Sequence, residues 1–260
     1  ARLAISQLNW PIDDPHGFEL ALEAIQHVCR SALRGGVGSA VPGVPSSRLA
    51  ALPNTAALLS VLLREVKPSS VVFSSWGLRE GLLYQRLSET ERGRDPLLVG
   101  VGAFVASMGC PPENAAGIAE WTSCAQRDSS QARERVRLAA TMLLTAAQSI
   151  EPNLRLAHAL DWALHKRWIG LDDTGRAMIA ACSVGNSGNA GWPEDLDRLA
   201  SQEDLHAAHT WGLAIRLCRR FSGLSRKALE LSKLAVTDGK LSLTVDGSLA
   251  SLRSEGTTKD

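Results

Sequence analysis

The stretch VVFSSWGLREGLLYQRL, residues 71–87, changes from an apolar run to a helical pattern at Gly77. The apolar residues 71–73, flanked by serines and a proline, predict a short buried strand. With Gly77 at the N-cap, Glu80 is the third helical residue, where its carboxylate can accept a bond from the cap amide and lie near the positive end of the helix dipole. The stretch therefore predicts a strand, a turn and a capped helix.

Capping does not account for two other residues of this turn. Arg79 places a cation in the first helical turn, against the dipole. Gly81 costs about 1 kcal/mol relative to alanine inside a helix unless backbone or ligand approaches closely. We therefore expect Arg79 to find its partner outside the turn and Gly81 to lie against a neighbour.

The residues before this stretch indicate an α/β arrangement. Residues 1–10 resemble the end of a helix, so we expect that a further segment precedes them. Apolar spacing predicts helices over 17–34 and from about 53 to 65. Because one strand cannot form a sheet, we expect the partners of 71–73 in the preceding segment or in another chain.

After about residue 92 the pattern is almost wholly helical, so the chain is predicted to be mainly α, with domains at 1–90 and 91–260. The expected helices lie near 95–107, 112–127, 131–149, 154–168, 173–185, 193–200, 203–222 and 225–233. Asp238-Gly239, between two alternating segments, predicts a β-hairpin near the C-terminus.

Composition gives no sign of a nucleic-acid or membrane partner. The 28 basic and 27 acidic residues leave a net charge of +1, so any anion site must be local. No run approaches the roughly 20 apolar residues that span a bilayer. The five cysteines are widely spaced and form no C-x-x-C pair, which favours reduced thiols and a cytoplasmic location.

Glycines and histidines give no specific site. GGVG at 35–38 follows a helix, and no G-x-x-x-x-G-K follows, so we interpret it as a helix end and loop. His158 and His165 are two helical turns apart, too far to share a metal ion, and pairing with Asp161 is the better explanation. His206 and His209 lack the H-E-x-x-H order of zinc proteases. The sequence leaves open whether any of these histidines binds a metal.

The segment RLCRRFSGLSRK, residues 216–227, concentrates positive charge where one helix ends and the next begins. The cations can offset the negative end of the first helix dipole. They can also form a surface for a polyanion. The candidate contacts are Arg216, Arg219, Arg220, Arg226 and Lys227.

The strand and G-L-R-E-G turn of 71–87 resemble the end of the second actin-like lobe in the exopolyphosphatase and guanosine pentaphosphate phosphatase family. WPIDDPHGFEL (10–20) and VPSSRLAALPNTAALLSVLL (44–63) are similar to neighbouring segments of that family. Further on, RDPLL (94–98), AHALDWALHKRWIGLDDTGRAMIAA (157–181) and HTWGLAIRLCRRFSGLS (209–225) are similar to its helical half.

This resemblance implies a truncated piece of an actin-like, ribonuclease H-like α/β lobe followed by an all-helical domain of degenerate HD type. Leu138 and Ala146 stand where related members often carry histidine and aspartate, so this domain is expected to hold no metal. The implied enzyme is a homodimer that releases terminal phosphate from inorganic polyphosphate or guanosine pentaphosphate, with Mg²⁺ bound by an N-terminal part. Arg79 joins the substrate contacts, and no catalytic residue is assigned. A noncatalytic helical binding module stays open as the alternative.

Overall fold

The computed structural model describes residues 1–35, 41, 44–125 and 130–252. It divides into two compact units, Ala1–Arg92 and Gly93–Asp260. Helices dominate the described residues, with two small antiparallel sheets, so the mainly α class is confirmed. Of the described helices, none has the length and apolarity to cross a membrane. Gly36 to Gly38 of the predicted loop lie outside the described residues.

The first unit combines helices with a two-stranded sheet. Its elements are α1 (Arg2–Gln7), β1 (Glu19–Ala21), α2 (Leu22–Leu33), α3 (Ser46–Ala50), α4 (Leu52–Val66), β2 (Ser70–Val72), α5 (Leu78–Gln85) and α6 (Glu89–Arg92).

The strand β2 has its partner within this chain, which corrects the expectation of a partner elsewhere. It pairs antiparallel with β1, with Leu20 opposite Val71. Beyond the strands, the Phe73 amide donates to the Phe18 carbonyl at 2.9 Å. The helix predicted over 17–34 therefore begins only at Leu22, because Phe18 and Leu20 alternate with exposed Glu19. An alternation this short also fits the spacing of a helix, so the apolar pattern alone did not separate β1 from α2.

The core of the first unit lies where α1, β1, α2 and α4 meet. Phe18 is 2% exposed, and its ring contacts those of Trp10 and Phe73, with centroids 5.6 and 6.0 Å away. Helix α4 turns Ala56 and Leu63 toward this core. Helix α5 buries no residue.

The second unit is a helical domain that ends in a hairpin. Its elements are α7 (Pro96–Ser107), α8 (Pro112–Trp121), α9 (Gln131–Ala146), α10 (Arg155–Leu164), α11 (Asp173–Ser187), α12 (Gln202–Ser222), α13 (Arg226–Glu230), β3 (Ser232–Thr237) and β4 (Lys240–Val245). The helix predicted at 193–200 is a 3₁₀ turn, Glu194–Arg198. The helix predicted to 233 ends at Glu230, because β3 already begins at Ser232.

Helix α11 forms the centre of this unit and is buried from Gly175 to Asn186. It crosses α12 closely at two glycines. A methyl group built on Gly212 would overlap the Cys182 carbonyl oxygen and lie 2.7 Å from the Asn186 amide nitrogen. One built on Gly185 would overlap the His209 carbonyl oxygen. The two backbones therefore approach so closely that neither glycine has room for a side chain.

The C-terminal hairpin is confirmed. Strands β3 and β4 pair antiparallel from Ser232 opposite Val245 to Thr237 opposite Lys240. The two loop residues, Asp238 and Gly239, have φ of 52° and 73°. A two-residue loop with both φ positive matches the right-handed twist of the strands, which explains the Asp-Gly pair.

Candidate functional site

The Gly77 turn lies at the end of β2, beside the loop that precedes β1. Gly77 is the N-cap of α5, and its backbone is extended, so the predicted turn and helix are present. The strand covers Ser70–Val72, and its predicted burial is wrong, because Val72 is 61% exposed. The Ser75 amide donates to Nδ1 of His16 at 3.3 Å. The His16 ring also contacts that of Trp76, with centroids 5.9 Å apart. His16 therefore supports the turn, although spacing along the chain does not indicate it.

Glu80 caps α5 as predicted. Its Oε2 accepts from the Gly77 amide at 2.8 Å, and its Oε1 accepts from Nη2 of Arg79 at 3.1 Å. The bond from the Gly77 amide is the main cause that lowers the pKa of Glu80 below its usual value, and Arg79 adds to it. Glu80 is thus held as a carboxylate by the cap.

The two residues that capping left unexplained behave differently from expectation. Arg79 pairs with its neighbour Glu80 inside the turn, and 86% of its side chain remains exposed, so the partner expected outside the turn is not found in the described part of this chain. A methyl group built on Gly81 meets nothing within 4 Å. The close approach expected at Gly81 is therefore not found in the described part of the chain.

Arg216 stabilises the end of helix α11. Its Nη1 donates to the Ser187 carbonyl oxygen at 3.1 Å. Its guanidinium carbon lies 2.8 Å from where a Gly188 Cβ would be, and Gly188 ends the helix with φ of 84°. A cation at this position offsets the negative end of the dipole and satisfies a terminal carbonyl. The contact with the end of α11 therefore gives Arg216 a structural role.

The other candidate cations of 216–227 lie at the junction of α12 and α13, whereas Arg79 belongs to the first unit. Arg219 and Arg220 are in the last turn of α12, and Gly223 follows as its left-handed cap. Nε of Arg226 donates to Oε1 of Glu230 at 2.9 Å, in a pair whose side chains are 92% and 60% exposed. Such a pair contributes little to stability. We use the name basic surface for the exposed residues Arg220, Arg226 and Lys227.

A cleft of about 810 Å³ opens between α8, α13 and β3, next to the basic surface. Trp121 lines it and donates from Nε1 to Oγ of Ser232 at 3.0 Å. The charged residues of its lining are of both signs, and they are Glu113, Glu120, Glu230, Arg226 and Lys233.

The sequence analysis missed this cleft. Glu113 and Glu120 are seven residues apart, which places them on one face of α8 and was a usable signal. Their neighbours come from residues 224–234, however, and no local spacing connects the two segments. The excess of acidic groups makes the cleft itself a poor receptor for a polyanion.

Three of the four histidines considered as metal ligands contact aromatic rings. The His158 ring lies 6.2 Å from that of Trp162. Trp192 contacts both His206 and His209, with centroids 4.9 and 5.7 Å away. Nε2 of His209 lies 2.8 Å from the Asn189 carbonyl oxygen, and it must donate, since a carbonyl only accepts.

His165 follows α10 as its C-cap. Across the described residues, no three histidine, cysteine, aspartate or glutamate side chains come together in a way that could hold a metal. All five cysteines are free thiols.

Two buried arginines, also missed from the sequence, tie the helices of the second unit together. Arg137 is 3% exposed and donates to the Ala119 carbonyl at 2.8 Å and to Glu134 at 2.7 Å. Arg176 is 1% exposed and donates to the Lys166 carbonyl at 2.7 Å. Both buried guanidinium groups donate to backbone carbonyl oxygens of neighbouring segments, so their role is structural.

No model of a known protein family matches this chain, and no curated protein matches it. A functional assignment therefore depends on the motifs in the sequence and on the geometry described above.

Proposed function

We propose that this chain is the noncatalytic portion of an exopolyphosphatase-like hydrolase that releases terminal phosphate from polyphosphate or guanosine pentaphosphate. The first unit would be the end of an actin-like lobe, and the second a degenerate HD-type domain. The observation that carries the proposal is the order of β2, the Gly77 turn and α5, with Glu80 capping the helix. This is the arrangement in which the G-L-R-E-G motif was expected.

Within such an enzyme the chain would contribute polyanion binding and dimerisation. The basic surface offers exposed cations at which phosphates can bind without a burial penalty. Arg79 and Arg219 are further candidates for phosphate contact, and Arg216 could join them from its place at the end of α11. The proposed setting is the cytoplasm, in line with the free cysteines.

Mg²⁺, which the family resemblance implies, has no site in the described part of this chain. In α9, the side chains of the half-buried Leu138 and the buried Ala146 carry no atom that can bind a metal. The proposal therefore assigns no catalytic step to these residues. The metal and the catalytic acid would belong to another part of the enzyme.

Binding of long-chain polyphosphate to this chain tests the proposal directly. We expect affinity that falls steeply with salt, because each phosphate contact releases counterions. The double variant Arg220→Glu/Lys227→Glu should weaken binding by roughly 10-fold or more at low salt. Lys240→Glu reverses one exposed charge in the hairpin of the same unit, so it is the matched control for each single variant, Arg220→Glu and Lys227→Glu.

Equal loss in the control would show that only net charge matters. No binding to the unmodified chain at low salt would refute the proposal for this surface. Phosphate release should be at background for this chain alone. Hydrolysis should appear in a protein that also contains a D-x-G-x-x-S-type turn, a glycine-rich turn and a catalytic glutamate.

The mixed charge of the cleft favours one alternative, a noncatalytic helical binding module. Trp121, Leu229 and charges of both signs suit a peptide better than a polyanion. If the natural protein has no actin-like phosphate turns and polyphosphate does not bind, the module is the better explanation. Glu120→Arg would then change binding at the cleft while Lys240→Glu would not.

A further inference from the structure

The cleft beside the basic surface has the edge of a strand in its wall. Ser232, Lys233 and Leu234 of β3 line it together with residues of α8 and α13. In the described part of the chain, β3 has a strand neighbour on one side alone, the strand β4. An open edge of this kind presents unpaired N–H and C=O groups to which another extended segment can bind.

The register of the hairpin shows which backbone groups lie on that edge. The Asp246 amide donates to the Leu231 carbonyl oxygen at 3.0 Å, so these two residues form a hydrogen-bonded pair. In an antiparallel ladder, hydrogen-bonded pairs alternate with pairs that are not hydrogen-bonded. The N–H and C=O groups of Ser232, Leu234 and Val236 therefore point away from β4.

The backbone of Leu234 lacks partners on this edge. Leu234 is 5% exposed, yet among the described residues no backbone group outside the hairpin bonds to its N–H or C=O. Buried backbone groups in proteins are nearly always paired. An extended peptide laid along β3 would supply both a donor and an acceptor, as in peptide recognition by strand addition.

The charges of the cleft favour a basic peptide. Arg226 already pairs with Glu230 at 2.9 Å. Two exposed carboxylates, Glu113 and Glu120, therefore face a single remaining cation, Lys233. The two carboxylates start about 10 Å apart along α8, and side chains on one face of an extended peptide repeat about every 7 Å. Two lysines or arginines on that face can thus reach both carboxylates.

The apolar part of the cleft has room for a side chain of such a peptide. Trp121 and Leu229 line it, and a methyl group built on Gly117 would approach Cδ1 of Leu229 to 3.9 Å. A glycine in the middle of α8 disfavours the helix relative to alanine. Its effect here is to leave open the space beside Leu229. A peptide in which apolar and basic residues alternate therefore matches the cleft.

We propose that the cleft binds an extended basic segment of another protein, which adds as a third strand to the free edge of β3 and directs its cations to Glu113 and Glu120. The chain's own last residues, RSEGTTKD at 253–260, contain no apolar residue and equal numbers of acidic and basic groups, so they do not fit this site. The inference extends the binding-module alternative. It does not depend on polyphosphate binding, which is assigned to the basic surface.

Fluorescence anisotropy of the full chain with labelled peptides tests the proposal. The probe is a pool of peptides of about eight residues in which lysine alternates with valine, leucine or phenylalanine. We expect dissociation constants of roughly 1 to 100 µM. A pool with glutamate in place of lysine should bind roughly 10-fold more weakly or less.

Methylation of the peptide nitrogens separates strand addition from a contact between charges. One lysine pool is methylated at the odd-numbered residues and another at the even-numbered ones. A strand turns the N–H groups of alternate residues toward its neighbour. One methylated pool should therefore lose roughly 10-fold or more in affinity relative to the other.

Variants of the chain place the peptide in the cleft. Glu120→Arg should weaken binding of the lysine pool by roughly 10-fold. Glu194→Arg is the matched control, because it reverses one exposed carboxylate of the same unit outside the cleft. Gly117→Leu fills the space beside Leu229 and should block binding without a change of charge. Circular dichroism verifies that each variant keeps its helices, and Glu120→Arg decides if Gly117→Leu unfolds.

Four results overturn the proposal: no binding of the lysine pool, equal binding of the glutamate pool, equal affinity of the two methylated pools, or equal loss in Glu120→Arg and Glu194→Arg. The double variant Arg220→Glu/Lys227→Glu should not weaken binding of the lysine pool. A loss there would place the peptide on the basic surface and would also overturn the proposal. Peptide binding and polyphosphate binding can therefore fail separately.

Discussion

Replacing Gly212 by alanine should destabilise the second unit, although alanine favours helices. The added methyl group would overlap the Cys182 carbonyl oxygen. A carbon and a carbonyl oxygen need about 3.3 Å, so α11 and α12 must separate by about 1 Å. The atoms in the way are backbone of a buried helix and cannot rotate aside, unlike a side chain.

The magnitude follows from two opposing effects. Overpacking a core costs about 1–3 kcal/mol, and the upper end applies here, because a gap of about 1 Å weakens contacts along the whole crossing. The helix propensity of alanine returns about 1 kcal/mol. We expect a net loss of about 2 kcal/mol in the free energy of unfolding, or a melting temperature lower by about 4–8 °C for a unit of this size.

Urea unfolding followed by tryptophan fluorescence measures this loss, because five of the seven tryptophans lie in the second unit. Gly100→Ala in α7 is the matched control. A methyl group there meets nothing within 4 Å, so this variant should be neutral or more stable by up to about 1 kcal/mol. If Gly212→Ala is as stable as the unmodified protein, the close crossing of α11 and α12 is wrong.

Three further predictions concern charge, backbone and thiols. The Arg135 guanidinium is the main cause that lowers the pKa of Asp95 in the folded protein. The ion pair therefore stabilises the folded state fully above the pKa that Asp95 has in the unfolded chain, and this stability is lost as pH falls through the lower pKa of the folded state. Asp95→Asn, which can still cap α7, should cost about 1 kcal/mol at pH 7 and less near pH 3, measured by urea midpoints. Gly239→Ala should lower the melting temperature, with a cost of about 1 kcal/mol, because Gly239 has φ of 73°; an unchanged melting curve would contradict the turn geometry. Burial raises the pKa of the Cys182 and Cys218 thiols to about 12, so peptide mapping after alkylation at pH 8 should find both labelled only in urea, and rapid labelling of native protein would contradict their burial.

Local signals explain what the sequence predicted correctly. The hairpin depends on the φ preferences of Asp238 and Gly239 alone, and both residues adopt them. The Gly77 cap depends on one carboxylate three residues away. Long amphipathic helices such as α9 and α12 were recognisable because many periods of apolar residues repeat. In each case, the information lies within a few residues of the feature.

The missed features depend on contacts between distant segments. β1 has only three residues and is defined by pairing with residues about fifty positions later. Arg216 has a structural partner in the Ser187 carbonyl, 29 residues earlier, which no spacing of charges reveals. The cleft joins α8 to residues more than a hundred positions away. Gly81 was expected to have a close neighbour, yet a glycine also fits where nothing constrains the helix.

The burial of α11 on every side has a consequence for hydrogen exchange. Amides from Gly175 to Asn186 lie in a helix surrounded by its unit, so they become accessible only when the whole unit unfolds. Amides of α5, a helix that buries no residue, open by local fraying. The slowest protons of α11 therefore report the global stability of the second unit, while the protection of α5 reports whether anything is bound to its exposed face.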